Sequence, residues 1–274
     1  MISDLSEASI RQPIHGLLAA ADIGLTRTDP PPALVGRVVV LYDDHGTRIT
    51  HRFGADTVTW TRSPGRGDDV SASGEGRYDA FRVADDLFYV QFRHTQTPTE
   101  SVSLALDFTS GHALSVLTLA GDPSPGRPRV LQCFATARIE GVESTMLPPA
   151  PSTALTGRRV LWEYGHDRVY EHIYLGPRQY AWQCLAGSEE GLADTDECTA
   201  YELRPGIFLF AWREKALPCA AVTVADHRDI RSVRSRGVLF GLDESRQVLD
   251  HFTLDGFGRL IGTTVYPAEF DPAR

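Results

Sequence analysis

Cysteine is scarce in this chain of 274 residues, and the four present (Cys133, Cys184, Cys198 and Cys219) form no C-x-x-C pair. That spacing excludes a zinc knuckle and a thioredoxin-type redox site, and points to buried free thiols in a reducing compartment. No stretch approaches the ~18 consecutive apolar residues of a membrane-spanning helix. Basic residues are in deficit, with 27 Lys and Arg against 36 Asp and Glu and a formal charge of −9. A phosphate backbone needs a concentrated basic face, so no nucleic-acid partner is expected. The run Arg228, Arg231, Arg234, Arg236 is the local exception; Asp229 interrupts it, and it reads as a solvated turn with its flanking strands. Met1 to Ala20 begins with acidic residues and lacks a signal-peptide layout. The expectation is a cytoplasmic protein without membrane contact. No glycine-rich phosphate loop is present and no histidine spacing requires a metal, so no cofactor and no metal are expected.

The main feature present is an internal repeat, which decides the architecture. Gly36-Arg37-Val38-Val39-Val40-Leu41-Tyr42 matches Gly157-Arg158-Arg159-Val160-Leu161-Trp162, and Thr50-His51-Arg52-Phe53-Gly54 matches Glu171-His172-Ile173-Tyr174-Leu175-Gly176. Val58-Thr59-Trp60 matches Tyr180-Ala181-Trp182. The run from Ala80 to Arg93 lies opposite Ala200 to Arg213 at an offset of about 120 residues, which Pro98 and Pro218 share. Each copy reads as short strands of period-2 alternation between turns such as Asp44-His45-Gly46 and Pro205-Gly206. No segment in either copy has a helical apolar period. The reading is all-β: two tandem antiparallel meanders, each closing into a barrel and so removing its exposed edges, with a sandwich as the alternative. The first barrel spans 34–146 and the second 152–274, joined by a linker, Met146 to Pro151, whose prolines deny it helix and central strand. Residues 1–33 read as an arm containing a short helix over Ser6 to Ala21, set off by Pro30-Pro31-Pro32.

Alternate residues of a barrel strand face the lumen. In the second copy this parity gathers Trp162 and Tyr164, then Tyr170, His172 and Tyr174, then Tyr180 and Trp182, then Phe210, Trp212 and Glu214. Aromatic walls with a few polar groups are the makeup of a small-molecule pocket, though the same rings could simply fill an eight-stranded barrel. A carboxylate ending an apolar face costs free energy unless paired or protonated. Glu214 is therefore either a general acid or base of raised pKa, or a mouth residue paired with Arg213, Lys215 or solvent. His172 is either a base or a hydrogen-bonded core histidine. The acidic run Gly191 to Glu197 lacks calcium-loop spacing and reads as a turn capped by Asx hydrogen bonds. In the first copy His94 stands where the second has Glu214, and Phe92 where it has Trp212, so the two barrels are expected to differ in chemistry.

Tyr170-Glu171-His172-Ile173-Tyr174, Trp182, Gly191 to Cys198 and Trp212-Arg213-Glu214-Lys215 together resemble the C-terminal half of the molybdenum cofactor biosynthesis protein F (MoaF) family. Gly36 to Trp60 is similar to that family's N-terminal half. The resemblance covers most of residues 34–265 and implies a tandem lipocalin-like (calycin) architecture. The family name implies molybdenum cofactor assembly, for which no phosphate loop, thiolate pair or basic pocket is found. More distantly, Trp162-Glu163-Tyr164 with Tyr170-Glu171, and Trp212-Arg213-Glu214, are similar to strands of phenolic acid decarboxylases. That similarity implies Tyr164 as a substrate-holding tyrosine and Glu214 as the acid/base. The chain departs from the pattern in having Gln183 where those enzymes have an arginine, and Trp162 for the leading tyrosine.

The functional expectation is a cofactor-independent lyase or isomerase (decarboxylase-, dehydratase- or cyclase-type proton transfer) acting on a small aromatic or apolar molecule. Glu214, Tyr164, Tyr170 and His172 are the catalytic candidates; Trp162, Tyr174, Tyr180, Trp182, Phe210 and Trp212 are the binding candidates. The alternative is a non-catalytic carrier or sensor of lipocalin type. A small apolar or aromatic molecule and a second copy of the chain, as a homodimer, are the expected partners.

Overall fold

The computed structural model describes residues 33–274 apart from 123–127, 145, 166, 216 and 244–246. The proposed N-terminal helix lies outside the described residues. Eight strands, β1 (Val38–Tyr42), β2 (Arg48–Phe53), β3 (Thr57–Ser63), β4 (Ala72–Ala84), β5 (Leu87–Arg93), β6 (Glu100–Asp107), β7 (His112–Ala120) and β8 (Val130–Ile139), run as an antiparallel meander. It closes where Leu41 and Tyr42 of β1 pair with Ile139 and Arg138 of β8. After β9 (Ala150–Pro151) the pattern repeats as β10 (Arg158–Tyr164), β11 (Arg168–Gly176), β12 (Gln179–Ala186), β13 (Ala193–Arg204), β14 (Ile207–Arg213), β15 (Cys219–Asp226), β16 (Val233–Leu242) and β17 (Leu249–Thr263). Pairing of β17 with β10 and of β12 with β13 closes the second barrel. The only helix among the described residues is one 3-10 turn, Ala268–Phe270.

Two boundaries differ from the sequence reading. The linker residues Ala150 and Pro151 pair with Glu202 and Tyr201 of β13. Proline can do this because β12 covers only the first half of β13, which leaves an edge there. The acidic stretch ending at Glu197 is not a capped turn from Ala193 onward but the start of β13. Its turn is confined to the residues around Gly191, whose φ of +88° suits glycine. As a strand it alternates, and Asp196 faces inward, 1% exposed.

Each lumen is a separate core. The first holds Phe53, Tyr78, Phe88 and Phe92 with aliphatic neighbours; the second holds Trp162, Tyr174, Tyr180, Trp182, Phe210 and Trp212. A third core lies between the barrels, where β5, β6 and β7 pack on their counterparts β14, β15 and β16 through Leu87, Tyr89, Leu114, Val116, Leu209, Val222 and Val238. Strands buried on both faces lose alternation, and β5 and β14 are indeed buried along nearly their whole length. Polar links cross the same seam. Tyr89 donates to the Val222 carbonyl at 2.9 Å, and Gln132 to that of Ala221 at 3.0 Å. Arg204 grips Asp107 with two N–H groups at 2.9 and 2.6 Å. Arg236, read as solvated surface, instead pairs with Asp255 at 3.0 Å and lies over the ring of Phe81 in the first barrel.

Candidate functional site

The second barrel keeps a cavity of about 70 Å³ at the end where β10 turns into β11 and β14 ends. All ten residues read as inward-facing do point into this barrel, but they divide by depth. Tyr164, Tyr170, His172, Tyr180, Trp182, Trp212 and Glu214 line the cavity. Trp162, Tyr174 and Phe210 pack in the core without lining it. Two glycines permit the arrangement. Gly258 and Gly256 of β17 stand directly opposite Trp162 and Tyr164. A Cβ at Gly258 would lie 2.7 Å from the Trp162 ring, and one at Gly256 would lie 2.8 Å from the Tyr164 ring. Real side chains do not approach so closely, so the rings lie flat against bare backbone.

The polar groups of the site are carboxyls held by aromatic donors. Trp212 donates its indole N–H to Glu214 Oε1 at 2.8 Å. Trp182 donates to Asp196 Oδ2 at 2.9 Å, and the backbone N–H of Lys215 reaches Asp196 Oδ1 at 3.0 Å. Tyr170 donates its hydroxyl to Glu189 Oε2 at 2.6 Å. Arg213 pairs with Glu197, and the Lys215 ammonium reaches the Thr195 carbonyl. Neither cation takes Glu214, so the pairing with Arg213 or Lys215 considered from sequence does not form.

Electrostatics follow from this geometry. Glu214 is half-buried, lining both this cavity and a groove beside Arg213, Lys215 and Pro218, while its carboxyl is closely surrounded by protein. Burial is the largest influence and the negative charge of Asp196 the next; together they push its pKa up to about 8 against the pull of Trp212. Burial also raises Asp196, opposed by its bonds from Trp182 and Lys215. The two carboxyls act on each other, the Asp196 charge favouring the neutral form of Glu214. Burial and then Glu189 raise Tyr170, while burial alone pulls His172 down to about 3. His172 is therefore a neutral imidazole, boxed by Trp162, Tyr164, Tyr174, Tyr180 and Trp212 with ring centroids 5.2–6.5 Å away.

Sequence reasoning missed four cavity residues: Arg168, Leu239, Phe252 and Leu254. Arg168 has the same parity as Tyr170 and His172 and was legible in principle. Asp196 was hidden by its loop assignment. Gln183 faces away from the lumen and donates to Glu171, which also pairs with Arg159 at 2.6 Å.

The first barrel has the corresponding positions without the chemistry. Trp60 sits opposite Gly74 as Trp182 sits opposite Asp194, so the counterpart of Asp196 is Gly76. The Trp60 indole N–H finds no acceptor among the described residues. His94 stacks on Trp60 with centroids 4.7 Å apart and takes Glu100 at 2.7 Å instead. Among the described residues no group of His, Cys, Asp or Glu is arranged to hold a metal ion, and no helix is long and apolar enough to cross a membrane.

A solved chain from Burkholderia vietnamiensis, provisionally named a β-lactamase, covers 39% of this chain and 95% of its own length. Its TM-score of 0.32 and 19% identity carry no argument about fold or function. The Protein MoaF of Klebsiella aerogenes is 30% identical over 213 residues, which span 72% of this chain and 79% of that protein. The model of the MoaF N-terminal domain matches residues 19–122, and that of the MoaF C-terminal domain matches residues 149–264. The two domain matches fall on the two barrels, and the chain belongs to the MoaF family.

Proposed function

We propose that the second barrel is a cofactor-independent acid/base site, of lyase or isomerase type, for a small molecule with an unsaturated or aromatic body. The observation that carries this reading is Glu214 at the edge of an aromatic cavity, held by the Trp212 indole and influenced by the Asp196 charge. A carboxyl whose pKa lies near the working pH can both give and recover a proton, which is the condition for efficient general acid catalysis. Donation leaves two carboxylates side by side, and their repulsion favours return of the proton. That suits chemistry in which the proton leaves and comes back within one turnover. The rings of Trp182, Trp212 and Tyr180 offer flat apolar walls, while the indole N–H groups are already engaged within the protein.

A carrier would use the same cavity, but a container has no need of a half-titrated carboxyl among its rings. The first barrel, with an apolar core and its Glu214 counterpart His94 paired to Glu100, supports the second through the shared interface.

The test is a thermal-shift screen of wild type and Glu214→Gln against phenolic acids, aromatic amines and apolar polyenes, followed by product analysis of every hit. A compound that stabilises both proteins and is transformed only by the wild type supports the reading. Hits that bind and are never transformed favour the carrier, and a Glu214→Gln protein with full turnover removes Glu214 from the chemistry.

A further inference from the structure

Among the described residues one cation, Arg168, lines this cavity. It is 9% exposed. Among the described residues it has no hydrogen-bonded or ion-paired partner, although Glu189, Asp196 and Glu214 all belong to the same end of the barrel. Those three carboxyls are taken by Tyr170, Trp182 and Trp212, which are neutral donors. A guanidinium largely enclosed by protein and without a countercharge beside it favours an anion that enters the cavity.

The hydroxyl of Tyr164 is in a similar state. It lines the cavity and makes no hydrogen bond among the described residues. Tyr164 and Arg168 are direct cross-strand partners in the β10–β11 register, so both donors issue from one point of the wall. Strand parity carries Arg168 to the same inward face as Tyr170 and His172.

From this geometry we infer that the molecule held in the second barrel is a small organic monoanion whose oxyanion is received by Arg168 with Tyr164. This rests on the proposed function and narrows its substrate class. One guanidinium compensates one negative charge, and the carboxyls around it disfavour a dianion such as a phosphate monoester. A planar carboxylate also matches the fork of a guanidinium, which can bind it bidentately. Size restricts the body. At about 70 Å³ the cavity is well under the ~150 Å³ that takes a benzene molecule, so a short unsaturated chain fits as it stands and a ring must reach into the mouth.

The experiment uses two matched acid and amide pairs, crotonate with crotonamide and benzoate with benzamide. Each is titrated against the whole chain by quenching of its tryptophan fluorescence, since Trp182 and Trp212 line the cavity. The expected result is that at least one carboxylate binds the wild type ten times or more tightly than its amide. Arg168→Gln should erase that preference and Arg168→Lys should keep part of it. Equal binding of acid and amide, failure of both carboxylates to bind, or a preference that survives Arg168→Gln each overturns the inference. Should Arg168→Gln fail to fold, the acid-versus-amide ratio on the wild type still decides. Glu214→Gln separates this inference from the wider reading. Carboxylate binding retained there, with turnover lost, supports both. Turnover of a neutral compound by a protein that binds no carboxylate leaves the acid/base reading standing and removes this one.

Discussion

Trp212 donates its indole N–H to Glu214 two residues further along the same inward face, at 2.8 Å. The bond favours the ionised carboxyl and works against burial and against Asp196, which favour the neutral acid. Trp212→Phe keeps a ring in the wall and removes the donor. The Glu214 titration should then move upward from about 8, and any activity limb set by it should move to higher pH. A downward or absent shift, read from the carboxyl resonance, would contradict the role given to this bond.

Asp196 acts on Glu214 in the opposite sense. With Asp196→Asn the neighbouring charge is gone, and the Glu214 pKa should fall towards the ordinary carboxylate range. Trp182 should keep an acceptor in the asparagine oxygen, so the fold should survive. An unmoved Glu214 titration would show that burial alone holds its proton.

The raised Glu214 pKa also shapes stability. Between about 4.5, its ordinary value, and about 8, the folded chain binds a proton that the unfolded chain has released. This contribution therefore falls as pH rises through that window and is flat above it. Glu214→Gln removes the dependence, so its melting temperature should gain on wild type steadily from pH 5 to pH 8. Parallel curves for the two proteins would show an unperturbed carboxyl.

Four buried histidines set the acid side. Burial is the largest cause in each case and lowers His51 and His251 to about 4 and His172 and His227 to about 3. They stay neutral when folded and charge when unfolded below about 6.5, so stability is lost as pH falls from there, by up to ~1.4 kcal/mol per pH unit for each. Because Glu214 opposes them with one proton, unfolding at pH 5 should take up about three protons, measured by calorimetry in buffers of different ionisation enthalpy. Uptake of one or none would show that these histidines are not held neutral.

The glycines of β17 give a packing test. Gly258→Ala drives a methyl into the Trp162 ring and should cost about 1–3 kcal/mol with a change in tryptophan fluorescence. Gly262→Ala on the same strand meets only the Arg159 stem at 3.8 Å and should cost much less. Equal costs would point to a loose Trp162 site.

Much of this architecture was legible in the sequence because strand parity is rigid. Once Trp162 and Tyr164 were assigned to one face, every later inward residue of the second barrel followed at steps of two, and the repeat fixed the order of the strands. What was lost was lost locally. Asp196 lay in a stretch whose glycine and aspartates signal a turn, yet cross-strand pairing with β12 extends it into a strand. Arg168 lay one step outside the aromatic run that defined the face. The contact between barrels had a signal too, since Leu87 to Phe92 and Ile207 to Trp212 are buried without alternation, as strands covered on both sides must be. The partition of the rings into cavity wall and core depends on packing depth, which no periodicity encodes.

The most direct test of the account is the protonation state of Glu214 itself, followed by infrared difference spectroscopy or carbon-13 NMR of wild type against Glu214→Gln. A protonated carboxyl present at pH 7, absent from the variant and ionising with a midpoint near 8, is the expected result. A Glu214 already ionised at pH 6, with a midpoint near the ordinary 4.5, would contradict the acid/base site.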